Sequence, residues 1–101
     1  MSRQLVDDPL APVHPGEILM EEFLRPHGLT PYAAARLMGV PRTRIERVAR
    51  GEKPVTVDTA RRLARLLGTT EAFWLNLQTR YDLLTEPAPA DLAAITPLVA
   101  A

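Results

Sequence analysis

Hydrophobic positions recur at helical spacing in five stretches of this chain, separated by proline, threonine and glycine markers. In the first, Leu19 and Phe23 stand four apart with Ile18 beside them. Pro15 suits a first-turn position, Glu17, Glu21 and Glu22 lie toward the positive helix start, and Pro26 forbids continuation. The pattern predicts a helix over 15–25. A second helix opens with Thr30 as N-cap and Pro31 at the first helical position. Its inner face is Ala34, Leu37 and Met38, and Gly39 can take the left-handed geometry that ends it. A third runs over 41–50 to Gly51 with Ile45, Val48 and Ala49 inward. The fourth has Thr56 as N-cap, Asp58 in its first turn, and an apolar stripe of Ala60, Leu63, Ala64 and Leu67 before Gly68. The fifth starts near Thr70 or Glu71 and reaches about Leu84, with Phe73, Trp74, Leu77, Tyr81 and Leu84 at helical spacing.

Alternating strand-like runs are missing, so the reading is an all-α domain over 14–85. Residues 1–13 are polar and proline-punctuated and read as a flexible arm. The Pro/Ala-rich stretch 86–101 reads as a flexible tail whose Leu92, Ile95, Leu98 and Val99 form one turn of helix or a docking segment. With 101 residues there is room for one small core. Cysteine is absent, which removes disulfides, thiolate metal sites and thiol nucleophiles. No apolar run approaches a membrane span and the first residues lack a basic-then-apolar leader, so a cytoplasmic protein with no membrane partner is expected.

Charge changes this picture more than composition does. The net charge is zero, yet residues 36–65 carry nine basic residues against three acids, and the remainder carries the reverse, three against nine. The positive block covers the second to fourth helices. Within it, two short helices are joined by the Gly39-Val-Pro turn, with the small Ala35 four residues before the glycine to allow close crossing. That is the layout of a helix-turn-helix whose second helix enters the DNA major groove.

On the third helix, the face opposite Ile45, Val48 and Ala49 holds Thr43, Glu46, Arg47 and Arg50, with Arg42 and Arg44 flanking. Arginine forks bind guanine edges or phosphates, so Arg42, Thr43, Arg47 and Arg50 are the candidate base readers. Glu46 reads as an intrahelical ion-pair partner of Arg42 and Arg50, or as an acceptor for cytosine. Candidate backbone contacts are Thr30, Tyr32, Arg44, Lys53, Thr56 and Thr59. Each has a plainer role as cap or solvated surface, and the whole helix has one as the outer face of an ordinary bundle.

Three stretches carry a resemblance to a known family: His14-Pro-Gly-Glu-Ile-Leu-Met-Glu-Glu-Phe-Leu24, Gly39-Val-Pro-Arg-Thr-Arg-Ile45, and Thr69-Thr-Glu-Ala-Phe-Trp-Leu-Asn-Leu-Gln-Thr-Arg-Tyr-Asp-Leu83. Over roughly 14–84 the chain resembles the HigA group of antitoxins, within the Xre/lambda-repressor-like helix-turn-helix superfamily. The resemblance implies a five-helix domain that forms a homodimer, represses its own operon by binding double-stranded operator DNA, and neutralises a HigB-like ribonuclease toxin. Many superfamily members carry a phosphate-gripping glutamine at the start of the second helix. Pro31 stands here instead, passing that contact to Tyr32 or to backbone amides.

The fifth helix carries more aromatic surface than a small core needs, and Trp74, Leu77, Tyr81 and Leu84 are its candidate dimer interface; the plainer alternative is that Phe73 and Trp74 close the monomer's own core. A dimer would hold two reading helices about 34 Å apart. The acidic Glu17, Glu21 and Glu22 could face a basic toxin or simply complement the helix dipole. For catalysis, the two histidines, His14 and His27, find no nucleophile to activate. His14 with Glu17 and Glu21 lacks a third neutral ligand. No enzyme, metal or cofactor is expected; the rival to an antitoxin is a plain repressor without a toxin partner.

Overall fold

The computed structural model describes residues 11–99; the first part of the proposed flexible arm therefore lies outside the described residues. Five helices and no strand are present among them. α1 begins as an α-helical turn, Pro15–Ile18, and continues as a π-helix, Leu19–Leu24. α2 is Pro31–Met38, α3 Arg42–Ala49, α4 Val57–Leu67 and α5 Glu71–Thr85; a 3-10 turn, Leu92–Ala94, follows.

The expected helix over 15–25 is thus shorter and differently wound. Leu19 and Leu24 are both fully buried. Five residues apart, they would point about 140° away from each other on an α-helix. A π turn closes its ladder on i→i+5 bonds and brings both to the core side. The amide of Arg25 accordingly bonds the carbonyl of Met20.

Threonine caps fix three helix starts. The hydroxyls of Thr30, Thr56 and Thr70 accept from the N–H groups of Ala33, Thr59 and Phe73 at 3.1, 3.3 and 3.1 Å. Left-handed Gly39 and Gly68 close α2 and α4. At α1 the cap is His14, whose Nδ1 accepts from the Gly16 amide at 2.9 Å.

α2 and α3 cross closely over Ala34 and Ala35, α4 packs on α5, and α1 lies against both α3 and α5. The core is Leu19, Leu24, Ala34, Ala35, Met38, Ile45, Val48, Val55, Ala60, Leu63 and Trp74. Gly16 is the closest point between α1 and α3. A Cβ there would stand 1.9 Å from the Val48 carbonyl oxygen. Phe23 joins Phe73 and Trp74 in an aromatic cluster, with ring centroids 6.0 and 5.3 Å away.

Two apolar expectations are corrected. Leu37 is not an inner-face residue but 63% exposed, because the α2 surface facing α1 and α3 is already filled by Ala34, Ala35 and Met38. Trp74 is not an interface residue. It is wholly buried in this chain's own core, and its indole N–H donates to the Thr69 hydroxyl at 2.8 Å.

Candidate nucleic-acid interface

α3 carries the four candidate base readers, Arg42, Thr43, Arg47 and Arg50. Ile45 and Val48 anchor it, almost fully buried, so its opposite face is presented outward without freedom to rotate. That face is Thr43, Arg47 and Arg50, all exposed. Arg47 and Thr43 make no side-chain hydrogen bond or ion pair among the described residues. Arg50 is held by Glu52, Nε to Oε2 at 3.0 Å. Such an exposed pair contributes less than about 1 kcal/mol, so a ligand can readily displace it. Arg42 lies with its guanidinium 5.7 Å from the Tyr32 ring centroid, a cation–π contact that pre-orients it beside the start of α2.

Two grooves flank this face. One is walled by Pro41, Thr43, Arg44, Arg47, Lys53, Pro54 and Thr56; the other by Arg25, Thr30, Tyr32, Glu46 and Arg50. Each pairs residues of the outward α3 face with residues of a neighbouring element. Alone among the helices after α1, α3 has no side-chain cap at its start. The first amides of α3 therefore retain donors for an outside acceptor.

Arg44 has a different role from the one its position suggested. It is bonded to Asp58, which also accepts from Arg62 Nε at 2.9 Å, and Arg62 Nη1 reaches the Met38 carbonyl at 2.8 Å. The chain Arg44–Asp58–Arg62–Met38 ties the starts of α3 and α4 to the end of α2. Both arginines hold the Asp58 carboxyl below the usual carboxylate range.

Thr59 lines the first groove but offers a strand little surface. It is 2% exposed and its hydroxyl meets that of Thr56 at 3.3 Å. Thr30 and Thr56 serve as caps but remain exposed, as do Tyr32 and Lys53. Glu46 makes no ion pair with Arg42 or Arg50; the latter turns to Glu52 instead. The interface candidates Leu77 and Tyr81 are half-buried, and Leu84 is 46% exposed.

Sequence reasoning missed two polar supports, one buried and one half-buried. Gln78, on α5, accepts from the Val55 amide at 2.7 Å and donates to Asp82 at 2.9 Å. His14 packs edge-on to Tyr81 at 4.9 Å and against Gly51. Burial pushes its imidazole below the ordinary value of 6.5, opposed by a hydrogen bond to the Lys53 backbone and by the charge of Asp82. The i,i+4 spacing of Asp58 and Arg62 was the one sequence signal of the α4 network.

Among the described residues no group of three metal-ligating side chains occurs, and no helix is long and apolar enough to cross a membrane. The helix-turn-helix family model matches residues 20–74. Virulence-associated protein I of Dichelobacter nodosus is 44% identical over 87 residues, 85% of this chain and 81% of that protein. Antitoxin HigA-1 of Vibrio cholerae is 44% identical over 72 residues, 71% of this chain and 68% of that one. The Pseudomonas aeruginosa antitoxin HigA, solved with the higBA promoter, superposes with a TM-score of 0.78 at 38% identity, covering 87% of this chain and 99% of that one. The chain therefore belongs to the helix-turn-helix family of DNA-binding regulators, in the Xre-like branch whose named members include HigA antitoxins.

Proposed function

We propose that this protein is an antitoxin that binds operator DNA as a homodimer, represses its own operon and neutralises a HigB-like ribonuclease. The observation that carries the DNA half is the outward face of α3 set between two grooves. In this reading Thr43 and Arg47, with Arg42 and Arg50, meet base edges in the major groove. Thr30, Tyr32, Arg44, Lys53 and Thr56 line the approaches of the two sugar–phosphate strands, aided by the uncapped amides of α3. Arg44, already neutralised by Asp58, acts there as a positioned donor rather than a free charge. Glu46, unpaired within the helix, is available to accept from cytosine N4.

The α5 residues Leu77, Tyr81 and Leu84 supply the dimer contact, beside Phe73 at the edge of the same face. An operator-binding dimer needs such a contact to set the spacing of its two reading helices. The toxin half rests on the likeness to proteins named as antitoxins. Co-expression with the neighbouring small reading frame tests it: rescue of growth and co-purification are expected. A neighbouring frame that is harmless alone, or toxicity that persists, leaves a plain repressor.

A further inference from the structure

The α2–α4 side of the molecule carries a surface that the DNA reading does not use. Leu37 stands out from α2, and between it and the outer face of α4 lies a hollow of about 340 Å³ lined by Leu37, Met38, Leu66, Arg61, Arg62, Arg65 and the Asp58 carboxylate that Arg62 holds. A second hollow of about 270 Å³, lined by Ala33, Arg36 and Leu37, adjoins it across the same leucine. The floor is apolar and the rim is mostly guanidinium, its one carboxylate, Asp58, being already paired with Arg44 and Arg62. Arg61 and Arg62 are matched by Glu71 and Asp58. The side chains of Arg36 and Arg65 make no ion pair or hydrogen bond among the described residues.

The tail has the opposite character. Residues 86–101 contain two acids, Glu86 and Asp91, and no base. Leu92, Ile95, Leu98 and Val99 are all exposed. Ile95 follows the 3-10 turn Leu92–Ala94 in extended backbone, and its amide donates to the Leu92 carbonyl at 3.1 Å, which keeps the two apolar residues together with Asp91 immediately before them. This is an apolar pair flanked by a carboxylate, and the groove is an apolar floor flanked by two unmatched arginines.

We propose that the groove between α2 and α4 receives the tail of a second copy of this chain. Leu92 and Ile95 would cover Leu37 and Leu66, and Asp91 would meet Arg65. Groove and tail are different surfaces. Across a two-fold axis the contact occurs twice, groove to tail and tail to groove, and closes a dimer; without that axis it would propagate head to tail. This contact extends the homodimer reading but uses none of the α5 residues assigned to it.

The absence of cysteine permits a direct test on the full-length chain. Protein carrying Leu37→Cys is mixed with protein carrying Ile95→Cys under mild oxidation. A covalent species of twice the chain mass, made of one chain of each kind, is expected. Arg65→Glu in the first partner should lower its yield roughly two- to fivefold, the range for one exposed ion pair. Adding Asp91→Arg to the second partner should restore it. Two results overturn the proposal: no mixed species, or a double variant, Leu37→Cys with Ile95→Cys, that closes only within one chain. Leu84→Asp separates this from the α5 reading, because loss of the α5 dimer with the mixed species retained leaves the tail contact standing.

Discussion

At position 16 there is no room for a methyl group. A Cβ would sit against the Val48 carbonyl, and that oxygen belongs to backbone, which cannot swing aside. Gly16→Ala should therefore destabilise the fold by about 3 kcal/mol, the upper end for overpacking. Gly68→Ala, which meets open space but a left-handed backbone, should cost about 1–2 kcal/mol. Paired denaturant titrations check the order of the two, and equal effects would remove Gly16 as the α1–α3 contact point. His14 makes a second residue-scale prediction. Its folded pKa lies below the unfolded value of 6.5, so its contribution to stability is complete above that pH. It is lost as pH falls through 6.5 toward the folded value, where the unfolded state binds the proton first. The thermal midpoint should fall on moving from about pH 7.5 to 5.5. His14→Asn, which keeps a helix cap without the titration, should flatten that profile. A slope unchanged by the substitution would place the titrating group elsewhere.

Helices hold one another here through a few buried pairs, and those pairs set what a sequence reveals. Gln78 joins α5 to the segment leading into α4. Gln78→Met keeps the volume but strands the Val55 amide, and should cost about 1–3 kcal/mol in chemical denaturation. No loss would mean that water replaces the amide's partner. Caps, glycine stops and the outward α3 face were legible, because each follows from residues within one turn of one another. Thr30, Thr56 and Thr70 all start helices where their positions predicted, and Arg47 and Thr43 emerge unobstructed. What escaped was long-range. Asp58 captures Arg44 fourteen residues away, and no local period announces it. Between the two readings of Trp74, interface or core, the sequence does not choose, because periodicity marks an apolar face without saying whether the same chain or another covers it. The π winding of α1 was hidden for a related reason, since only the joint burial of Leu19 and Leu24 demands it. Trp74→Ala should accordingly cost about 3–5 kcal/mol of stability. The dimer contact is better tested at exposed Leu84.

Across the whole molecule, charge is sorted. A neutral chain concentrates nine basic residues between positions 36 and 65, and α3 sits inside that block. Operator affinity should fall linearly with salt on logarithmic axes, and Lys53→Ala should reduce the slope by about 1 if that side chain meets a phosphate. A slope that Lys53→Ala leaves unchanged would move the strand away from that groove. In the proposed reading the acidic remainder would confine DNA contact to one side and leave α5 for a partner copy. All of this depends on the outward face of α3 being the surface that reads DNA. Its most direct test is an anisotropy titration of a labelled duplex from the protein's own promoter, comparing the natural chain with Arg47→Ala at one salt concentration. Among the described residues the Arg47 side chain has no partner to lose, and it is exposed, so the variant should remain folded. The account predicts affinity weakened by about 1–3 kcal/mol, with much less change on a scrambled duplex. Equal affinity of the two proteins for the promoter duplex would contradict it.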